Sequence, residues 1–180
     1  MDIQKLHDFF LKCDSICTDT RSNCKGSLFF ALKGSNFNGN DFAIESISKG
    51  ANYAIVDDSS IDHPKCFLVD DVLESLQKLS NFHRKKLKKT KIIALTGSNG
   101  KTTTKELISC VLNTTYKTSS TIGNLNNHIG VPLSLLNIND DTEFAVIEMG
   151  ANHQGEISLL TRLVEPDFGL ITNFVKAHLK

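Results

Sequence analysis

The chain has 180 residues, enough for one large domain or two small ones, and twenty basic residues balance twenty acidic ones. At 40% hydrophobic and 22% charged residues it reads as globular, neither disordered nor fibrous, and its zero net charge argues against a general nucleic-acid or membrane-surface binder. No run approaches roughly 18 apolar residues, and the opening MDIQKLHDFFLKCD lacks a basic-then-apolar signal layout, so a cytoplasmic protein without membrane insertion is expected.

In chain order, Leu6, Phe9 and Phe10 lie at helical spacing and predict a short amphipathic helix over 2–12. The run LFFAL at 28–32, bounded by Gly26 and Gly34, predicts a buried strand, followed by a polar loop over 35–41 and a helix over 42–49 stopped by Gly50. Two apolar strands are expected at 53–56 and 66–69. Leu73, Leu76, Leu79 and Phe82 then mark a helix that runs into HRKKLKKTK. That basic run (Arg84, Lys85, Lys86, Lys88, Lys89, Lys91) reads as a solvated helix end and hinge, with a domain boundary near residue 90.

The next stretch, IIALTGSNGKTTTK at 92–105, is the one with clear chemistry. An apolar strand enters a glycine-containing turn, and Lys101, three threonines and the amphipathic Leu107, Ile108, Val111 and Leu112 follow. Gly97 and Gly100 let backbone N–H groups face inward around an anion, and the new helix adds its own free N–H groups and positive dipole end. Lys101 can reach terminal phosphates, and Thr102 sits where such loops present a magnesium ligand. The full eight-residue pattern would place glycine at 95, where leucine stands. Residues 96–103 are nonetheless read as a nucleoside-triphosphate site (Thr96, Gly97, Ser98, Asn99, Gly100, Lys101, Thr102, Thr103) rather than an ordinary glycine turn.

Beyond it, a strand is expected at 116–119, a polar loop at 121–130, and a helix at 131–136 with Pro132 in its first turn. A strand at 144–149, a helix at 156–164 and a strand at 168–172 complete the pattern. Alternating strands and helices imply a parallel α/β sheet with right-handed crossovers. Ligands then collect at the carboxyl ends of the strands, so the loop after Leu95, residues 148–152 and residues 173–178 should face one crevice. Glu148 is the natural carboxylate for a hard cation there and His178 a possible second ligand, the competing readings being a helix-capping or salt-bridged glutamate and a structural histidine. Asn124, Asn126, Asn127 and His128 either build Asx turns or orient a polar substrate. Cys13, Cys17, Cys24, Cys66 and Cys110 make an odd count with no Cys-x-x-Cys pair and are read as free thiols. A metal site from His7, Cys13 and Cys17 is the competing reading.

Four motifs in order, TGSNGKTTTKE, GNLNNHIGVPLSLL, AVIEMGANHQGEI and PDFGLITNFVKAHL, resemble the ATP-binding core of the Mur ligases. Thr18-Asp19-Thr20-Arg21 and the glycine-led stretch 26–34 resemble the family's UDP-sugar domain. The Asn126-Asn127 pair and Gly150-Ala151-Asn152 are most similar to the member that joins D-alanyl-D-alanine to UDP-N-acetylmuramoyl-tripeptide. The resemblance implies an α/β protein with a small N-terminal substrate domain (1–89) and a truncated P-loop parallel-sheet ATPase domain (90–180). It implies a monomeric ATP-dependent ligase of peptidoglycan precursors, with ATP and Mg²⁺ as cofactors and an acyl-phosphate intermediate. By the same resemblance, Lys101, Glu148 and His178 are catalytic, and Thr102, Glu148 and His178 hold magnesium. Asn126 and Asn127 position substrate, and Thr20, Arg21, Lys33 and Gly34 take the UDP end.

Departures from the family pattern are Thr20 for a common serine, Asn38-Gly39-Asn40 for a common Asp-Gly-His, and a tail altered around 174–180. Family members also continue through a carbamylated lysine and a closing C-terminal domain. The expectation is therefore an N-terminal fragment that binds ligands without full turnover. The alternatives are a non-catalytic nucleotide- or UDP-sugar-binding module and a different P-loop small-molecule kinase.

Overall fold

The computed structural model describes residues 1–175. The chain forms two compact units, Met1–Phe82 and a second that begins at His83. Each has its own four-stranded, all-parallel sheet.

The first unit begins with α1 (Ile3–Phe10), which buries Leu6 and stacks Phe9 on Phe67 with ring centroids 4.4 Å apart. Then come β1 (Ser15–Cys17), β2 (Ser27–Phe30), a 3-10 turn at Gly39–Phe42, α2 (Ala43–Ser48), β3 (Tyr53–Val56) and β4 (Cys66–Leu68). The strands lie side by side in chain order. All four residues of β2 are buried, as a central parallel strand covered on both faces requires. Phe29 packs with Cys17, Ala43, Ala54 and Val56 in the core. β1 was not expected. It has three residues, of which only Cys17 is fully buried, too short and too polar for a hydrophobic pattern to reveal; its place is fixed by pairing with β2, from Ser15↔Ser27 to Cys17↔Phe29.

The cysteines correct an expectation. Cys17 and Cys24 form a disulfide, with Cα atoms 5.6 Å apart, because the turn closed by Ser22 N–H to the Asp19 carbonyl at 3.0 Å brings the chain back on itself. Cys13, Cys66 and Cys110 are free. Burial pushes the Cys13 thiol up to about 11 and also raises Cys66. Among the described residues no group of three His, Cys, Asp or Glu side chains could hold a metal, so the His7, Cys13 and Cys17 alternative is not formed.

α3 (Val72–Lys86) carries the chain from the first unit into the second. The second unit continues as β5 (Lys91–Thr96), α4 (Lys101–Leu112), β6 (Thr118–Ser120), α5 (Gly130–Leu136), β7 (Phe144–Glu148), α6 (Glu156–Val164) and β8 (Phe168–Ile171). Its sheet order is β6-β7-β5-β8. The chain leaves β5 in one direction, skips a place to β6, returns to β7, and then passes over β5 to β8. Right-handed crossovers therefore put α4 on one face and α5 and α6 on the other. Ile92, Ala94, Ala145 and Ile147 pack with Val131 and Leu135 of α5 and Leu160 and Val164 of α6. The reversal leaves a crevice at the carboxyl end of β5, the place where such sheets bind ligands.

The basic run is only partly solvated. The Arg84 guanidinium donates to the Val164 and Glu165 carbonyls and to Asp167 Oδ2 at 2.9 Å, and Lys91 reaches Asp167 Oδ1 at 3.1 Å. Asp167 also accepts from the Ile92 N–H at 2.9 Å, so it fastens the entry of β5. Partial burial of Asp167, which alone would raise its carboxyl, is outweighed by these contacts, which hold it below the usual range. No helix of the described residues is long and apolar enough to cross a membrane.

Candidate nucleotide and substrate sites

The loop after β5 has the geometry of an anion cup. Gly97 and Gly100 take φ of +146° and +76°, backbone that side chains rarely adopt. A Cβ on Gly97 would also collide with the Thr172 hydroxyl. Gly100 caps α4, whose first intrahelical acceptor bond runs from the Thr104 N–H to the Gly100 carbonyl at 2.9 Å. Among the described residues the N–H groups of Lys101, Thr102 and Thr103 have no protein partner, as a helix start leaves them. Thr102 and Thr103 are exposed on that turn, and Lys101 bends back to donate to the Gly97 carbonyl at 2.8 Å.

The segment following β8 holds this loop in shape. Asn173 accepts from the Asn99 N–H through Oδ1 at 3.0 Å and returns Nδ2 to the Asn99 carbonyl at 3.0 Å. Its own carbonyl accepts from the Ser98 N–H at 3.3 Å. The Thr172 hydroxyl donates to the Asn99 carbonyl at 2.6 Å, and the Ser98 hydroxyl to the Val175 carbonyl at 2.7 Å. Sequence reading put residues from 173 on at the crevice but did not find this latch. The partners lie some seventy positions apart, and only the pairing of β8 with β5, ending at Thr96↔Ile171, brings them together.

On the other side of β5, Leu95 pairs with Glu148 at the end of β7. Glu148 is 1% exposed. Its Oε1 accepts from Asn126 Nδ2 at 2.8 Å, whereas Oε2 is buried with no partner among the described residues. The Glu148 N–H donates to the Thr121 hydroxyl at 3.0 Å. Asn126 also accepts from the Gly150 N–H at 2.8 Å, and its amide lies where a Cβ on Gly150 would fall. The side chain expected to position substrate thus first orients Glu148. Asn127 uses Oδ1 to accept from the Ile129 and Gly130 N–H groups at 3.0 and 2.8 Å, an Asx turn that opens α5.

Lys101, Asn126, Asn127, His128, Asn152 and His153 line a common cleft of about 300 Å³. Glu156 closes one end: its Oε2 accepts from the Asn152 and His153 N–H groups at 2.6 and 3.1 Å, which hold the carboxyl below its ordinary range, and Oε1 meets His153 Nδ1 at 3.3 Å. His153 and Glu156 were missed as site residues; the AVIEMGANHQGEI motif contained them, but nothing in its spacing indicated that Glu156 would cap its own loop. His178 lies outside the described residues.

The first unit has a separate cavity of about 330 Å³, lined by Asp19, Thr20, Arg21, Phe29, Phe37 and Phe42 among others. Thr20 is buried, and its carbonyl accepts from Lys49 Nζ at 2.8 Å. Hydrogen bonds from Arg21, whose guanidinium sits at 2.6 Å, pull the Asp19 carboxyl down to about 2. Lys33 and Gly34 are not in the lining. Lys33 bridges to Asn38 and pairs with Asp57 at 2.9 Å, and Gly34 closes a hairpin on Phe37, the residue that does reach the cavity. Asn40 is buried and donates to Asp57 Oδ1 at 2.6 Å. Partial burial of Asp57, which alone would raise its carboxyl, is outweighed by Asn40 and Lys33, which lower it.

Comparison with known proteins agrees with this layout. The family model described as the Mur ligase family catalytic domain matches residues 12–101, and that of the Mur ligase middle domain matches 95–180. The chain is 44% identical over 169 residues to the UDP-N-acetylmuramoyl-tripeptide–D-alanyl-D-alanine ligase of Bacillus subtilis, covering 92% of this chain and 36% of that protein. Its fold superimposes on MurF from Acinetobacter baumannii with a TM-score of 0.88 at 37% identity, covering 98% of this chain and 42% of that one. Against the MurF ligase of Thermotoga maritima in complex with ADP the TM-score is 0.84 at 32% identity, covering 95% and 40%. The chain thus spans less than half the length of these relatives. Two family models that together match residues 12–180, on two parallel-sheet units with an anion cup in the second, mean that the chain belongs to the Mur ligase family.

Proposed function

We propose that this chain supplies the UDP-sugar-binding and ATP-binding parts of an ATP-dependent ligase of peptidoglycan precursor synthesis, one that adds D-alanyl-D-alanine to UDP-N-acetylmuramoyl-tripeptide. The observation that carries the reading is the pairing of a free-amide anion cup with a buried carboxylate whose Oε2 has no partner among the described residues, one strand apart at Leu95↔Glu148. Residues 96–103 cradle the phosphates of ATP, with Lys101 swinging from the Gly97 carbonyl to the γ-phosphoryl group. The donor set fits a hard divalent cation, since the Thr102 hydroxyl and the Glu148 carboxylate are both oxygen ligands and the orphaned Oε2 is poised to take one up. Magnesium there would supply positive charge against the β- and γ-phosphate oxygens; His178 is carried as a further ligand from the family resemblance alone.

The tripeptide carboxylate takes the γ-phosphoryl group, and the amine of D-alanyl-D-alanine then displaces phosphate to form the amide. Lys101 and the loop amides stabilise charge on the transferred group. Asn126 fixes the Glu148 rotamer, and Asn127 shapes the loop beside it. In the first unit, Thr20 and Arg21 belong to the UDP end, with Lys33 and Gly34 shaping the hairpin next to it. The domains divide at about residue 90 in function, UDP-sugar before and ATP after. The protein acts as a cytoplasmic monomer without nucleic-acid partners.

Thermal-shift titration tests the reading. A ligand at about 100 times its dissociation constant stabilises by roughly 2.7 kcal/mol. Mg-ATP and UDP-muramoyl-tripeptide should each raise the midpoint, UDP-glucose should do so less, and Lys101→Ala should abolish the ATP shift alone. Absence of any ATP shift in the wild type, or phosphoryl transfer to a small molecule without UDP-sugar dependence, would overturn it.

A further inference from the structure

Lys105 is 1% exposed, among the largest fully buried side chains of the chain. It stands one helical turn after Lys101 on α4 but points inward. Burying an ammonium costs several kcal/mol, and an apolar side chain of similar volume would fill the same space without that cost. The charge is held by two contacts, Nζ donating to the Thr121 carbonyl at 2.7 Å and pairing with Glu106 Oε1 at 2.8 Å. Thr121 is itself 1% exposed and engages all of its polar groups. Its N–H donates to the Val146 carbonyl at 3.0 Å, its carbonyl takes Lys105, and its hydroxyl accepts from the Glu148 N–H at 3.0 Å. A continuous line of hydrogen bonds therefore runs from the helix that presents Thr102 to the residue that presents the orphaned carboxylate oxygen.

We propose that Lys105 and Thr121 are positioning residues that fix Glu148 relative to the first turn of α4 and thereby set the divalent-cation affinity of the nucleotide complex. This rests on the ATP-site reading above. Neither residue touches the nucleotide or the cation. Supporting groups of this kind typically alter metal affinity by about 10- to 100-fold when removed. The cup's own contacts, from Asn173 and the start of α4, do not pass through Thr121.

The probe is Mn²⁺, followed by electron paramagnetic resonance on the 180-residue chain with ADP, alongside ADP titrations in EDTA. Lys105→Met and Thr121→Val should bind ADP in EDTA as the wild type does, but hold Mn²⁺ in the ADP complex about tenfold or more weakly. Thr121→Ser, which keeps the hydroxyl, should restore wild-type Mn²⁺ affinity. Unchanged Mn²⁺ binding in both variants, or equal loss of ADP and Mn²⁺, would show a merely structural role and overturn the proposal. If Lys105→Met fails to fold, the Thr121→Val and Thr121→Ser pair decides alone. A wild type that binds neither ADP nor Mn²⁺ sinks the ATP-site reading and this one together, whereas ADP binding with no Mn²⁺ binding sinks this one only.

Discussion

Asn126 Nδ2 lies 2.8 Å from Glu148 Oε1, and the other carboxylate oxygen, Oε2, is buried with no partner among the described residues. A buried carboxylate left half-satisfied is destabilising by about 1–3 kcal/mol, a cost that a stable fold carries where a ligand completes the set. Glu148→Gln should therefore leave the thermal midpoint of the free protein unchanged or higher while weakening Mn²⁺ binding to the ADP complex at least about tenfold. A lower midpoint with unaltered Mn²⁺ affinity would mean that Glu148 serves the fold instead.

Asn173 makes reciprocal contacts with Asn99, N–H to Oδ1 and Nδ2 to carbonyl, both at 3.0 Å. Each such bond contributes about 0.5–1.5 kcal/mol net. Asn173→Ala should lower stability by about 1–3 kcal/mol in urea denaturation and weaken ATP in thermal-shift titration, because the loop must then be ordered by the nucleotide. Stabilisation by UDP-muramoyl-tripeptide should not change. If Asn173→Ala binds ATP like the wild type, the latch does not shape the cup.

The cup was legible because its signal is local. Apolar residues 92–95, two glycines and Lys101-Thr102 fall within eleven positions, and a strand, turn and helix need no partner to be recognised. What was not legible depends on distance along the chain. Asn99 meets Asn173, and Lys105 meets Thr121, only because parallel pairing and crossover handedness bring them together. β1 escaped because three residues cannot display a period, and Cys17–Cys24 because their spacing of seven matches no local cysteine motif. Nor could the sequence around Asn40 show what its side chain meets: its amide donates to both Asn38 and Asp57, the latter seventeen positions away. The basic run failed in the opposite sense, since charge alone could not show that Arg84 folds onto Asp167.

Gly39 starts the 3-10 turn behind the Lys33–Asn38 bridge, and a Cβ there would run into the Leu32 carbonyl oxygen and the Ala31 carbonyl carbon, both backbone. Backbone cannot yield as a flexible side chain would, so Gly39→Ala should destabilise by about 1–3 kcal/mol. It should also displace Phe37 and Phe42 from the cavity wall. The expected readout is loss of the UDP-muramoyl-tripeptide thermal shift with the Mg-ATP shift retained. Equal loss of both shifts would show that the effect is not confined to the cavity.

His83 is buried, with Nε2 2.8 Å from the Ile138 carbonyl. A carbonyl only accepts, so Nε2 carries the proton and the neutral ring satisfies the bond. Burial lowers the His83 pKa, against smaller raising effects from that carbonyl and from Asp140. The unfolded chain, with an ordinary value of about 6.5, then binds a proton that the folded chain resists. The stability His83 contributes is present above that value and is lost as pH falls toward and through the lowered folded value. Asp167 titrates below the usual carboxylate range and lies outside this window. His83→Gln, which keeps a donor but cannot titrate, should lose less stability than the wild type between about pH 7.5 and pH 5.5, the interval that brackets the ordinary histidine value. Urea midpoints for the two proteins that fall in parallel across this interval would show that His83 titrates alike in both states and would remove it as the source of acid sensitivity.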